Sequence, residues 1–193
     1  MRVYTPLVAE HDVILRMTEV IRKLIERTPE SQEGSQVNFD NVIDFLCMYV
    51  DRCHHAKEED IFFCHCEKKG INGIDKKIMQ GLTDEHVFIM RTVGEIIEAR
   101  RTKANGYRST RETLESKLER LATYYPEHMR KEKEVFFPIA LKYFSREEQY
   151  SILREFWKFN EKVLFEKYYA ILDRLETLTG STTDPSIRLS RSL

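Results

Sequence analysis

The strongest constraint in this chain is an internal repeat. Glu10-His11-Asp-Val-Ile14-Leu15-Arg16 recurs seventy-five positions later as Glu85-His86-Val-Phe-Ile89-Met90-Arg91. His54-His-Ala-Lys57-Glu58-Glu-Asp-Ile-Phe62-Phe63 recurs seventy-four positions later as His128-Met-Arg-Lys131-Glu132-Lys-Glu-Val-Phe136-Phe137. Two motifs repeated at nearly one offset mean that a pair of structural elements is duplicated. Each half supplies one histidine from its first element and a His-x-x-x-Glu from its second. On a helix, residues four apart differ by about 40° around the axis and ~6 Å along it, so both members of each pair project from one face.

The elements that carry the repeat read as helices. Thr5-Pro6 opens the first, and Leu7, Ile14, Met17, Ile21 and Leu24 carry it toward Thr28-Pro29. Residues 29–37 are polar and turn-rich, and a second helix is expected from about Asp40 to Lys69, stopping at Gly70. A third runs from about 75 to 104 and closes at Asn105-Gly106. Ser109-x-x-Glu112 and Ser145-x-x-Glu148 are capping boxes that open a fourth and a fifth. Seven glycines and five prolines, against roughly 23 at average usage, agree with few turns and long elements and exclude an all-β sandwich.

The expected fold is therefore all-α: an antiparallel up-down-up-down four-helix bundle over about 5–142, with an additional long C-terminal helix over about 145–178. These form one domain, 1–179, and the aperiodic residues 180–193 are expected to be a mobile tail. The apolar residues of the fifth helix, Phe156, Trp157, Phe159, Val163, Leu164, Phe165, Tyr168, Ile171, Leu172 and Leu175, exceed one narrow stripe. That helix suits packing on the bundle, a homodimer contact, or both.

Charge and hydropathy remove several classes of function. With 31 Lys and Arg against 32 Asp and Glu, the net charge of −1 offers no field for nucleic acid or anionic lipid. The longest apolar runs, such as residues 135–141, reach about seven residues where a membrane span needs roughly twenty. The N-terminus lacks the pattern of a secretory signal, so a cytoplasmic protein is expected. Its cysteines, Cys47, Cys53, Cys64 and Cys66, are then expected to be reduced, inert thiols.

Four histidines and two carboxylates brought together inside a bundle make a nitrogen- and oxygen-rich site suited to iron or manganese, with each glutamate able to span two ions. One metal ion would not use all six. The double histidine is ambiguous, because His55-x-x-x-Glu59 has the same spacing as His54-x-x-x-Glu58. Only the latter frame keeps the lysine before the glutamate and the Phe-Phe pair after it in both halves. The ligand candidates are therefore His11, His54, Glu58, His86, His128 and Glu132, with His55 and Glu59 expected at the surface or behind the ligands. His65 is expected to be an ordinary surface or satisfied residue. Tyr124 and Tyr125, one turn before His128, are candidates for a phenol beside the centre, with core packing as their plainer role. Neither the Glu-x-x-His of ferritin-like carboxylate bundles nor the His-Glu-x-x-His of zinc proteases occurs, Asp51 and Tyr125 standing where the former needs glutamate.

At these residues the chain resembles the hemerythrin-like (HHE cation-binding) family over about residues 5–142. The resemblance implies a four-helix bundle around a non-haem di-iron centre, two iron ions joined by oxide or hydroxide, with His11, His54, Glu58, His86, His128 and Glu132 on the ligand positions; manganese suits the same donors. The oxygen carriers of the family have a further histidine one turn after the third-helix ligand, where this chain has Met90. The remaining symmetric set is similar to that of the di-iron repair-of-iron-centres proteins linked to nitrosative and oxidative stress, although their cysteine-containing amino-terminal domain has no counterpart here. Two open irons imply reaction with oxygen, peroxide or nitric oxide, with iron sensing, storage or donation as the alternative.

Overall fold

The computed structural model describes residues 1–27, 33–104, 110–160 and 165–181. The Thr28-Pro29 and Asn105-Gly106 stops, the capping box opening at Ser109, Val163, Leu164 and residues 182–193 lie outside them. All described elements are helical. Helix α1 spans Thr5–Arg27. Helix α2 begins at Glu33–Asp44 and continues through π-helical turns, Phe45–His55 and Lys57–Phe63, to a last α turn at Cys64–Lys68. Its start corrects the turn expected through residue 37: after Pro29 no proline interrupts the stretch, and polar composition alone does not break a helix. Its end is as expected, with Gly70 at φ +66°, a conformation that glycine adopts without a Cβ clash.

Helix α3 is Gly73–Ala104, capped by Asn72, whose Oδ1 accepts from the backbone N–H groups of Ile74 and Asp75 at 3.0 and 2.9 Å. Helix α4 runs from Thr110–Lys131 through π-helical Glu132–Phe136 to Phe137–Ala140 and a 3-10 turn at Leu141–Tyr143. Helices α5, Arg146–Asn160, and α6, Phe165–Thr179, flank residues 161–164 where one long helix was expected. The Ser145 capping box forms as written: Ser145 N donates to Glu148 Oε2 at 2.9 Å, and Glu148 N donates to Ser145 Oγ at 3.3 Å.

Two apolar clusters fix the directions of these helices. Helix α1 passes from Leu7 in one cluster to Ile14 and Val20 in the other, and α3 likewise from Leu82 to Ile89 and Val93. Helices α2 and α4 run the opposite way, from Val42 and Leu118 to Phe62 and Phe136. The alternation is the up-down-up-down bundle. The C-terminal segment follows α1's direction, with Ile152, Leu153 and Phe156 in the Leu7 cluster and Tyr168, Leu172 and Leu175 in the other. One apolar face of each of its helices is thus turned onto the bundle, while Tyr150, Trp157 and Leu178 are exposed. Among the described residues no helix is long and apolar enough to cross a membrane.

Polar ties hold the helices in register. Pro126 lies inside α4 and has no N–H for the carbonyl of Ala122; Arg22 of α1 fills that acceptor, Nη2 to O at 2.6 Å. Arg16, also on α1, grips Glu176 of α6 through two hydrogen bonds of 2.8 and 2.7 Å, with Asp173 at 3.3 Å. Both Arg16 and Glu176 are buried. Removing one member strands the other charge, whereas removing both does not. Glu176→Ala is expected to cost about 3 kcal/mol in urea unfolding, and Arg16→Met/Glu176→Met to recover most of it; equal losses would refute a buried, coupled pair.

Candidate metal centre

Between the two apolar clusters lies a layer of buried polar side chains contributed by all four bundle helices. His11 comes from α1, His54 and Glu58 from α2, His86 from α3, and His128 and Glu132 from α4, all buried. Two groups of donors form within 4.8 Å: His11, His54, Glu58 and Glu132 on one side, and His55, His86 and His128 on the other.

The glutamates lie between the two groups with one oxygen toward each. Glu58 Oε1 is 3.7 Å from His11 Nε2 and 3.6 Å from His54 Nε2, while its Oε2 is 3.4 Å from His86 Nε2. Glu132 mirrors it, with Oε2 3.2 Å from His11 Nε2 and Oε1 3.5 and 3.3 Å from His86 Nε2 and His128 Nε2. No carboxylate oxygen of Glu58 or Glu132, neither nitrogen of His11, and not Nε2 of His54 has a hydrogen-bond partner. Each such group left unpaired costs about 1–3 kcal/mol. Nitrogen and oxygen lone pairs aimed at common points, with nothing else to satisfy them, fit metal ions.

Without metal, His11 and His86 hold protons instead. Burial disfavours a charged His11, but Glu132 and Glu58 outweigh it and lift its pKa to about 9. Burial likewise opposes, and Glu132, Glu59 and Glu58 overcome, a rise in His86 to about 10. Glu132 is held well below the carboxylate range: burial acts against this, and His128, His11 and His86 prevail. Metal and protons therefore compete for the same nitrogens.

The repeat also carries a support shell that the sequence reading left without a role. Glu10 Oε2 is 3.0 Å from His54 Nδ1, and Lys57 Nζ donates to the same carboxylate. In the second half, Glu85 Oε2 is 2.7 Å from His128 Nδ1 and Lys131 Nζ donates to Glu85 Oε1 at 2.5 Å. Carboxylates in this position fix the ring orientation and raise the basicity of a ligating imidazole. The signal was present in the Glu-His and Lys-Glu pairs conserved between the halves. Glu59, expected at the surface or behind the ligands, is partly exposed and accepts from His86 Nδ1 at 2.6 Å. His55 is no surface residue: it is 3 % exposed and joins the His86 group. The π turns close i→i+5 bonds, which reduces the angular step between neighbours and lets both His54 and His55 face inward.

The Phe-Phe pairs form a floor. Phe137 stacks on His11 at 5.9 Å and Phe63 on His86 at 6.2 Å, each pair crossing from one half to the other. Tyr125 is enclosed in the core with its hydroxyl unpartnered, and Tyr124 packs on Phe88 at 4.7 Å. Their described contacts are those of packing residues. His65 is a surface residue paired with Glu155 at 2.9 Å. The four cysteines are free, and burial pushes Cys53 and Cys66 up to about 12, leaving them protonated and unreactive.

Fold and site together define a helical-bundle protein with a histidine–carboxylate cation site in its interior. The profile of the Hemerythrin HHE cation binding domain matches residues 2–140, and the chain belongs to that family. Comparison with curated proteins and with solved structures gives no match.

The two supporting carboxylates differ in burial. Lys57 is fully buried, while the Lys131 side chain is 40 % exposed. Glu10→Ala is expected to destabilise the metal-free protein by about 3–5 kcal/mol, because it strands a buried ammonium. Glu85→Ala should cost under about 1 kcal/mol from the ion pair. Each should weaken ferrous iron binding 10–100-fold in chelator competition. Equal stability losses would refute the asymmetry.

Proposed function

We propose that this is a non-haem di-iron protein whose centre binds or reacts with a small oxidant or nitric oxide, in a redox or iron stress response. The ligands in this reading are His11, His54, Glu58, His86, His128 and Glu132. The observation that carries it is the placement of Glu58 and Glu132, each with one oxygen toward either group of imidazoles. A single ion would leave half of these lone pairs unsatisfied. When bound, iron supplies redox and Lewis-acid chemistry toward oxygen, peroxide or nitric oxide.

The chain's own residues do the rest. Glu10 and Glu85 hold the His54 and His128 rings with Nε2 turned inward. Phe62, Phe63, Phe136 and Phe137 keep one side of the centre apolar and exclude water. Admission to such a centre favours small uncharged molecules, in keeping with a diatomic or peroxide partner.

Glu132→Ala removes one of the two spanning carboxylates. Elemental analysis of wild-type protein reloaded with ferrous iron is expected to give about two irons per chain and the variant no more than one. A variant that still held two irons with an unchanged spectrum would sink the reading.

One contact favours a sensor role as the second reading. Lys57, the partner of Glu10, also donates to Asn160 Oδ1 of α5 at 3.0 Å and lies 5.2 Å from the ring centroid of Phe165 in α6. A change at His54 thus reaches the C-terminal helices in three contacts. Iron loading or oxidation should then alter hydrogen exchange over residues 145–178. Identical exchange with and without iron would remove the sensor reading and leave the reactive one.

A further inference from the structure

The geometry points to His55 as a fifth imidazole ligand, which makes the centre unequal: one metal position has three imidazoles, those of His55, His86 and His128, and the other has two, those of His11 and His54. The inference rests on the di-iron reading above and goes beyond its symmetric ligand set.

Three observations carry it. First, His55 is fully enclosed with neither ring nitrogen hydrogen-bonded, although its neighbours are polar. A neutral imidazole carries one donor and one acceptor, and burying both unpaired is as costly as for the accepted ligand candidates. Second, a donor atom of His55 lies within 4.8 Å of those of His86 and His128, whose own Nε2 atoms are 3.1 Å apart. The His55 ring stands edge-on to that of His128 at 6.2 Å and stacks on that of His86 at 4.0 Å, so one of the stacked rings turns about its Cβ–Cγ bond to bring both into line with one ion. Third, the repeat is broken at this position. The residue equivalent to His55 in the second half is Met129, buried in the apolar cluster, and the equivalent of Glu59 is Lys133. Both departures add polar groups to the His86 side and none to the His11 side: Glu59 accepts from His86 Nδ1, while His11 Nδ1 has no partner.

The consequence concerns where a small molecule binds. Glu58 and Glu132 give one oxygen to each position, so the His86 position has three imidazoles and two carboxylate oxygens from the chain, and the His11 position two of each. The richer position is closed by protein first, and an exogenous ligand goes to the metal beside His11 and His54. His55 thereby supplies from α2 what Met90 of α3 does not.

The test uses the full chain, stripped and reloaded anaerobically with two equivalents of ferrous iron-57, then oxidised. Mössbauer spectra of the wild type are expected to resolve two iron environments in equal amounts, and titration to give one azide per centre. His55→Leu should merge the two environments or lower retention of the second iron by at least 100-fold against a chelator. Free imidazole added to His55→Gly should restore both the spectrum and the retention. Wild-type protein that never holds two irons overturns the di-iron reading and this inference with it. Two irons in one environment, or a His55→Leu protein with wild-type iron retention and spectra, overturns only the role of His55. Should His55→Leu fail to fold, the wild-type spectrum and azide stoichiometry decide.

Discussion

A carboxylate with no hydrogen-bond donor is among the least tolerable groups in a protein interior, and this bundle buries two of them side by side. Glu58 and Glu132 have no partner for any of their four oxygens other than the imidazoles around them. Almost every other feature follows from that requirement. The apolar clusters divide above and below the polar layer, the phenylalanine pairs seal one side of it, and a second set of carboxylates stands behind the rings. A core built for packing alone would have placed leucines here.

Much of this was legible in the sequence, because duplication turns a common spacing into a specific one. A single His-x-x-x-Glu carries little weight, but two in register, each with an upstream Glu-His, placed six buried residues in one layer. Helix ends with a chemical signature were also readable: Ser145 caps as written, and Gly70 stops α2. What escaped were features that periodicity cannot express. The π turns of α2 insert no marker residue, yet they let His55 face inward beside His54. The polar start of α2 looked like a turn because its glycine, serine and asparagine are weak helix formers, and propensity is only a weak guide that context overrides. The Arg16–Glu176 pair joins residues 160 positions apart, which no local pattern reports.

The pseudo-symmetry is kept in the contacts around the ligand candidates and is incomplete in the chemistry. Phe63 and Phe137 exchange across the halves, and Glu10 and Glu85 repeat each other's hydrogen bond. Against this background the single-residue differences stand out as local choices: His55 against Met129, Glu59 against Lys133, and a buried Lys57 against a partly exposed Lys131. Duplication supplies two equal positions, and a few substitutions suffice to make them differ without moving a helix.

The match to the family profile ends at residue 140, before α5 begins. Yet Arg16 finds its counter-charge on Glu176, and Lys57 finds its second acceptor on Asn160. Both partners belong to helices that the family profile does not include. The unit of homology and the unit tied together by buried polar contacts therefore have different boundaries in this protein: a chain cut back to the shared bundle would keep every candidate ligand, yet Arg16 would lose both of its counter-charges and Lys57 its second acceptor.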